Sequence, residues 1–461
     1  LALLSQSRGT ALAMLGSMIV VMALAPGRTR RGYGLLVVAG GVALAAPDLL
    51  HIYDQHAAGA IPTGVGHTAG RSALLGAAAV GVAWALLTAG WKRACSQPAL
   101  ASRARTVGSW LLVVPVVLAL AVAAGSAHRV ERDVRDQWHA FTHLAEPGES
   151  GAAASAASHS RLLSGAGNRY DYWRIAWRVW RENPLLGVGA GNYARSYYEH
   201  RATAEDIEQP HSIELQALSE LGFVGVLLLA GFIAGVGWGA LRMRRRAAGS
   251  PLSRALMVGS LGAFVAWLVQ TSVDWMQLLP GLTAIALAAV AVLVRPRRRP
   301  APAEIAAGHS RSRRALTGRP ALAMGASAVI VTLIVAGASL SRQGLGDLYR
   351  SRAQGELGSH PAAALADVNR SLDIDPDSVQ SYYVKAAALA HFDEASAAEA
   401  ALGKALALEP DNFATWALLG DIAVRERKLK QATHDYLRAH ALNPRNSSLT
   451  ELALNARAAL P

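Results

Sequence analysis

Long apolar runs alternate with short polar segments over most of the chain, and this pattern predicts membrane-spanning helices. A helix needs roughly 20 apolar residues to cross a bilayer, and each run is close to that length. The predicted spans, about eight in all, are Thr10–Pro26, Tyr33–Leu50, Ser72–Trp91, Val107–Ser126, Leu221–Leu241, Ala255–Val273, Leu279–Val294 and Ala321–Leu340. The chain is therefore predicted to be an all-α, polytopic membrane protein.

A polar stretch separates the fourth and fifth predicted spans and contains its own helical patterns. Ala127–Leu144 has the spacing of a charged amphipathic helix, and Glu146–Ser160 has the Ala, Ser and Gly content of a flexible connector. A second helix is predicted from Arg169 to the Asn183-Pro184 pair, because the residue before a proline avoids the α region. This helix carries an aromatic stripe and a basic stripe side by side. Their members are Trp173, Trp177 and Trp180, and Arg174, Arg178 and Arg181.

The residues after the last predicted span repeat with a fixed period. Pro376, Pro410 and Pro444 lie 34 residues apart, in the contexts DIDPD, ALEPD and ALNPR. In the last repeat the packing residues follow the tetratricopeptide pattern in order: Trp416, Leu419, Gly420, Ala432, Tyr436 and Ala439. The period predicts an α-solenoid of stacked helix pairs, whose concave face commonly binds a peptide or a partner domain.

These patterns together predict four regions of the chain. They are membrane spans one to four at 1–126, a large loop at 127–220, spans five to eight at 221–341 and the repeat domain at 342–461.

Composition and charge favour a membrane protein over one that binds nucleic acid. Apolar residues make up 52% of the chain, charged residues 17%, and the formal net charge is +13. The arginines cluster in short loops between spans, as the positive-inside rule describes for cytoplasmic loops. Placing every cluster in the cytoplasm puts Arg8, the large loop and the repeat domain on the outer side. The single cysteine, Cys95, excludes an intramolecular disulfide and a cysteine-based zinc site.

Several familiar constellations are absent or incomplete. The glycines at 187, 189 and 191 follow a helix instead of a strand, which argues against a nucleotide-binding loop. They suit either a plain turn or close backbone approach to a ligand. His139 and His143 have the spacing of a metal pair but no evident third ligand, which favours a solvated helix face. No predicted span has a charge near its middle, which argues against an ion-coupled transporter. Chemistry is therefore expected in the outer loops, on an already activated substrate.

An ordered series of short motifs resembles a known family. The series begins with Ser7-Arg8-Gly9 before a span and Arg169 four residues before Trp173. It continues with Asn183-Pro184-Leu185-x-Gly187-x-Gly189, Pro210-His211-Ser212 and Glu220-Leu221-Gly222-x-x-Gly225 leading into a span. Over about residues 1–295 the chain resembles the O-antigen ligase and polymerase superfamily of bacterial envelope glycosyltransferases. Because the chain starts at Leu1, not at a methionine, and inside what looks like a motif, we expect further spans upstream.

The resemblance implies an activity and assigns residues to it. Members transfer a glycan from a polyprenyl (undecaprenyl) diphosphate carrier to an acceptor outside the inner membrane, with neither a metal nor a cofactor. The acceptor is lipid A core, as in lipopolysaccharide biosynthesis, another glycan or a protein hydroxyl. By resemblance, Arg8 and Arg169 hold the diphosphate and His211 activates the acceptor. Substrate-binding candidates of second rank are Arg174, Gly187, Gly189 and Glu220; for Glu220 a helix-capping role is equally open. The tyrosines at 193, 197 and 198 suit sugar stacking or packing equally well.

Alternatives remain within the superfamily and outside it. Within it, the chain could be a repeat-unit polymerase or a protein O-oligosaccharyltransferase. Outside it, the chain could be an envelope-assembly scaffold acting through its repeats, or a flippase for lipid-linked glycans in polysaccharide export. Loss of activity from loop point mutations with the repeats intact would argue against the scaffold.

Overall fold

The structure, a computed structural model, describes residues 7–57, 63–95, 127–142, 168–246, 250–295 and 319–455. Within these ranges the regular structure is helical throughout, with no strand. The chain divides into two compact units, 1–296 and 297–461. The all-α prediction is confirmed. The predicted fourth span, Val107–Ser126, and the connector Glu146–Ser160 lie outside the described residues.

The first unit contains the helices that correspond to predicted spans one to three and five to seven. They are α1 (Arg8–Leu24), α2 (Arg28–Ala57), α3 (Thr63–Cys95), α7 (Ile213–Arg246), α8 (Pro251–Val273) and α9 (Pro280–Val294). Four described helices, α2, α3, α7 and α8, are long and apolar enough to cross a membrane, whereas α1 and α9 are shorter apolar helices. The chain is thus a polytopic α-helical membrane protein, and each predicted span of this unit that falls on described residues is a helix.

Helix α8 lies at the centre of the unit, between α1, α7 and α9. Ser250 caps its first turn, since its Oγ accepts a hydrogen bond from Ser253 N, and Pro251 fits the first helical position. The buried core that joins α7, α8 and α9 consists of Val236, Ala240, Met257, Val258, Phe264, Val290 and Leu293. At the other end of these helices, Ser272 Oγ on the last turn of α8 donates to Glu214 Oε1 on the first turn of α7 at 2.6 Å.

Helices α2 and α3 pack on one another through small residues. Gly41 and Gly76 face each other so closely that a Cβ on Gly76 would lie 2.9 Å from the Gly41 carbonyl oxygen. Glycine permits such backbone approach between membrane helices, where close packing replaces the hydrophobic effect as the source of association.

Three further helices of the first unit lie between α3 and α7 in the chain: α4 (Ala127–Thr142), α5 (Arg169–Glu182) and α6 (Tyr193–His200). The core between α5 and α6 consists of Tyr172, Ile175, Ala176, Val179, Tyr193 and Tyr197. The predicted helix from Arg169 is confirmed by α5. Its tryptophan stripe lies beside this buried face, and Trp177 is half exposed.

The second unit is a series of antiparallel helix pairs. Its helices are α10 (Arg319–Glu356), α11 (Pro361–Ile374), α12 (Val379–Ala390), α13 (Ala395–Leu408), α14 (Phe413–Arg425), α15 (Leu429–Leu442) and α16 (Ser447–Leu454). Alternate helices start 34 residues apart, at 361, 395 and 429 and at 379, 413 and 447. Gly420 lets the Tyr436 ring approach, since a Cβ there would lie 2.6 Å from a ring carbon. The period agrees with the sequence pattern, and the tetratricopeptide assignment stays a prediction.

Candidate functional site

The two glycine-containing motifs of the loop are hydrogen-bonded to each other at a break in α7. Gly222 has φ 63° and ψ −154°, so the helical hydrogen bonding of α7 is interrupted there. The segment from Pro184 to Gly189 supplies the missing partners. Phe223 N and Val224 N donate to the carbonyl oxygens of Pro184 and Leu185, at 2.8 and 3.3 Å. In the other direction, Val188 N and Gly189 N donate to the carbonyl oxygens of Ser219 and Glu220, at 3.0 and 2.8 Å.

Glycine is required on both sides of this junction. A Cβ on Gly187 would lie 2.4 Å from the Glu220 carbonyl carbon, and a Cβ on Gly222 would lie 2.4 Å from the Leu185 carbonyl carbon. Both residues also have positive φ. Of the two uses left open for these glycines, a plain turn and close approach to a ligand, neither describes Gly187 fully, since its close backbone approach is to the chain's own helix. Contact of Gly187 and Gly189 with a substrate stays a prediction.

We expect Gly222→Ala to destabilise the protein strongly. The φ and ψ of Gly222 lie in a region essentially reserved for glycine, where strain costs roughly 1–3 kcal/mol, and the added methyl group would also meet the Leu185 backbone. Gly231→Ala on the same helix is the control, because a Cβ there meets nothing within 4 Å. Thermal unfolding of the solubilised protein should show a lower Tm for Gly222→Ala alone. An unchanged Tm for Gly222→Ala would contradict the described junction.

Asp171 holds the segment after α6 against α5. Its side chain is fully buried, and it accepts hydrogen bonds from Ala202 N at 2.9 Å and from Arg174 Nη2 at 2.7 Å. A buried carboxylate needs such partners, and removal of one of them is costly. Arg174, a predicted phosphate ligand of second rank, is therefore engaged with Asp171. A role in substrate binding stays a prediction for Arg174.

His211 stands at the start of α7 in an unusual backbone conformation. It has φ 55°, a left-handed conformation that is uncommon for a residue other than glycine. The imidazole lies against the Tyr172 ring, with centroids 5.2 Å apart. Its Nδ1 is 3.0 Å from the Gln209 carbonyl oxygen.

The surroundings of His211 favour the neutral form of its imidazole. Burial lowers the pKa of His211 below its ordinary value, and the Arg169 charge lowers the pKa further. The Gln209 hydrogen bond and the charges of Asp274 and Glu205 act in the opposite direction, and the net shift is downward. A neutral imidazole is the form that accepts a proton.

Arg169 lies in the same cluster as His211. Its Nη2 is 3.5 Å from Asp274 Oδ2, and the Arg169 side chain keeps 35% of its surface exposed. Asp274 directly follows α8, so this ion pair ties the start of α5 to the carboxy-terminal end of a membrane helix. The sequence pattern gave Asp274 no site role, because it is simply an acidic residue at the end of a span.

Arg8 begins α1 at the same end of the bundle. The next residue, Gly9, packs on the last turn of α8, since a Cβ there would lie 2.9 Å from Gln270 Nε2 and 3.1 Å from Val273 Cγ2. Arg8 precedes Gly9, and Asp274 follows Val273. The two charged residues therefore lie beside the point where α1 contacts α8. The structure brings the start of α1, Arg169 and His211 to one end of the membrane helices.

The other candidate residues have mainly packing environments. Glu220 is buried; its Oε2 accepts a hydrogen bond from Gln216 at 3.2 Å, and the backbone amides of Gly191 and Tyr193 face its carboxylate. The amides at the start of α6 fit the capping alternative. Tyr193 and Tyr197 are completely buried, so their rings cannot stack on a sugar and they act in packing.

Four residues that the sequence patterns did not single out lie around the cluster. The Tyr172 hydroxyl donates a hydrogen bond to the Glu205 carboxylate. The Arg201 guanidinium is buried and donates to Glu205 O at 2.6 Å and to Asp206 Oδ1 at 2.7 Å. They shape the loop that leads to His211.

Across the ranges that the structure describes, no three His, Cys, Asp or Glu residues lie close enough together to hold a metal ion.

Comparison with known proteins gives a match for part of the chain. No curated protein matches it. Among solved structures, the first tetratricopeptide domain of Spaghetti (RPAP3) bound to an HSP90 peptide is 20% identical, with a TM-score of 0.24. That match covers 26% of this chain and 94% of the other. Residues 56–230, which include Arg169 and His211, match the family model described as O-antigen ligase.

Proposed function

We propose that this protein transfers a glycan from a polyprenyl diphosphate carrier to an acceptor hydroxyl at the outer face of the bacterial inner membrane. The observation that carries the proposal is the placement of Arg169 beside His211, at one end of the membrane helices. Both residues fall within the stretch similar to O-antigen ligases. The acceptor classes are lipid A core, a glycan chain and a protein hydroxyl.

The donor needs cationic groups, which Arg169 and Arg8 supply. A sugar bound to a diphosphate is already activated, so the reaction needs no ATP on the outer side. Guanidinium groups bind phosphate oxygens bidentately and stabilise the charge that develops on the leaving group. Asp274 holds Arg169 at the outer end of α8, where the headgroup of a membrane-anchored donor would lie.

His211 is suited to activate the acceptor through one defined nitrogen. A carbonyl oxygen only accepts hydrogen bonds, so Nδ1 must carry the proton that bonds to Gln209 O. In the neutral ring Nε2 is then unprotonated and can take a proton. As the acceptor oxygen bonds to the anomeric carbon, the bond from that carbon to the phosphate oxygen breaks. The acceptor proton passes to Nε2, and polyprenyl diphosphate leaves with the bonding electron pair.

The proposal is tested with the purified full chain in nanodiscs, supplied with a polyprenyl diphosphate donor carrying a labelled glycan. Release of polyprenyl diphosphate should require an acceptor and should equal the glycan gained by that acceptor. Lipopolysaccharide core, a free glycan and a protein acceptor are compared in parallel. Absence of release with all three acceptors would overturn the proposal.

Asp274→Asn should shift the pH dependence of transfer. The Asp274 charge raises the pKa of His211, so its removal lowers that pKa and keeps the imidazole neutral to a lower pH. The acid limb of the rate profile should therefore move towards lower pH. Glu199→Gln, an exposed carboxylate of α6, is the control and should leave the limb in place. If the acid limb does not move in Asp274→Asn, His211 is not the group whose protonation lowers the rate.

The proposal also places the repeat domain outside the cytoplasm. The basic clusters between the spans follow the positive-inside rule when the loop 127–220 and the carboxy terminus are both on the outer side. Reporter fusions in the segment after Arg299 and at the carboxy terminus should report opposite sides of the membrane. Matching signals from the two fusions would refute this topology.

A further inference from the structure

We propose that the loop around Leu185 and Leu186 inserts into the outer interface of the lipid bilayer and holds α5 along the membrane surface. The bound partner is the lipid itself, at the boundary between headgroups and acyl chains. Nothing in the match to the O-antigen ligase family assigns a lipid contact to this loop.

The level of the loop follows from its hydrogen bonds. Phe223 N and Val224 N donate to the carbonyl oxygens of Pro184 and Leu185, which fixes the loop at the first turn after the break in α7. The segment from Phe223 to Arg246 is long enough to cross the roughly 30 Å hydrocarbon core at 1.5 Å per residue. Leu185 is therefore held where the membrane crossing begins.

The side chains of the loop are apolar and exposed. Leu185 and Leu186 are 68% and 72% exposed, values similar to the 70% of Leu228 within the crossing segment itself. Exposed leucines on a membrane-spanning helix face lipid, and the two loop leucines adjoin its first turn. Two adjacent exposed leucines would be unfavourable in water and are stabilised by burial in the interface.

The orientation of α5 agrees with this placement. Its first residue, Arg169, pairs with Asp274 at the outer end of α8, and the residues after its last turn bond to the outer part of α7. Both ends of the helix are thus held at the outer ends of membrane helices, so α5 lies along the surface. Its exposed Trp177 is of a type enriched at membrane interfaces. Under the proposed function, this anchoring sets the height of Arg169 at the level of a lipid headgroup.

Depth can be measured directly because the chain has one cysteine. In a Cys95→Ala background, a spin label is attached in turn to Leu186→Cys, to Leu228→Cys as the lipid reference and to Glu199→Cys as the water reference. Collisions with oxygen, which partitions into lipid, are compared with collisions with a water-soluble nickel complex, in nanodiscs without donor. Native secondary structure and an unchanged elution volume show that each variant is folded.

We expect oxygen to dominate at Leu186→Cys and Leu228→Cys, and the nickel complex to dominate at Glu199→Cys. Nickel accessibility at Leu186→Cys equal to that at Glu199→Cys would overturn the proposal. Protection of Leu186→Cys from both reagents would also overturn it, since protein would then cover the loop. The measurement needs no substrate, so failure of the proposed glycan transfer would leave its result unaffected.

Discussion

Replacement of His211 by alanine is expected to lower the turnover of glycan transfer by about 10² to 10⁴, the usual contribution of a positioned general base. Without the imidazole, no group accepts the acceptor proton at the position of Nε2. Donor binding should stay nearly unchanged, because the arginines make the diphosphate contacts. Initial rates and donor affinity of the purified variant check both statements.

The control for this prediction is His211→Asn. Asparagine tolerates the positive φ of this position better than alanine and keeps hydrogen-bonding capacity, but it cannot act as a base at neutral pH. We therefore expect the Asn variant to fold normally and still to lose activity. Recovery of most of the activity in His211→Asn would mean that the residue only shapes the entry to α7.

Arg169→Lys is expected to lower transfer by about 10²-fold, comparable with the loss of one preorganised donor to a developing anion. Lysine keeps the charge and can still pair with Asp274, but a point charge does not replace a bidentate guanidinium. Arg8→Lys should act in the same direction. The effect is measured as kcat/KM for the lipid-linked donor.

Arg181→Lys is the matched control, since Arg181 is an exposed arginine on the last turn of the same helix. This variant should retain full activity. Equal tolerance of lysine at 8, 169 and 181 would mean that these arginines contribute only general positive charge near the membrane.

The sequence predicts the helices of this protein well because their signals are local. A run of apolar residues of membrane length, or a 34-residue period, is read from neighbouring positions without knowledge of the fold. The aromatic and basic pattern from Arg169 to Glu182 is of the same kind, and α5 has these bounds. The motif order also singled out Arg169 and His211 as candidate site residues, and their roles stay predictions.

The contacts around these residues could not be read in the same way. Asp274 is distant in sequence from Arg169, and only the packing of α8 brings them together. Tyr172 has the same periodicity as the other core residues of α5, so the sequence pattern does not predict its contact with His211. Gly222 gives an equally weak signal, because a helix break supported by another segment depends on a tertiary contact.

Glycine and tyrosine patterns illustrate how one signal fits two uses. A glycine allows close backbone approach, but the residue type does not say to what; here Gly187 approaches Glu220 of the chain itself. Tyr193 and Tyr197 have the amphipathic character of sugar-binding rings, yet they fill the core between α5 and α6. Their complete burial shows that these two tyrosines pack in the core and do not stack on a sugar. Burial depends on the three-dimensional fold, so the sequence pattern could not predict it.

The central claim, that one site holds the donor through Arg169 and activates the acceptor through His211, is tested most directly by a single-turnover measurement. Purified protein in excess over a labelled polyprenyl diphosphate donor is mixed with acceptor, and bound donor and released carrier are followed together. The account predicts that His211→Asn binds the donor but does not release the carrier, whereas Arg169→Lys is impaired in donor binding and in release. Carrier release at the wild-type rate by either variant, with donor bound, would contradict it.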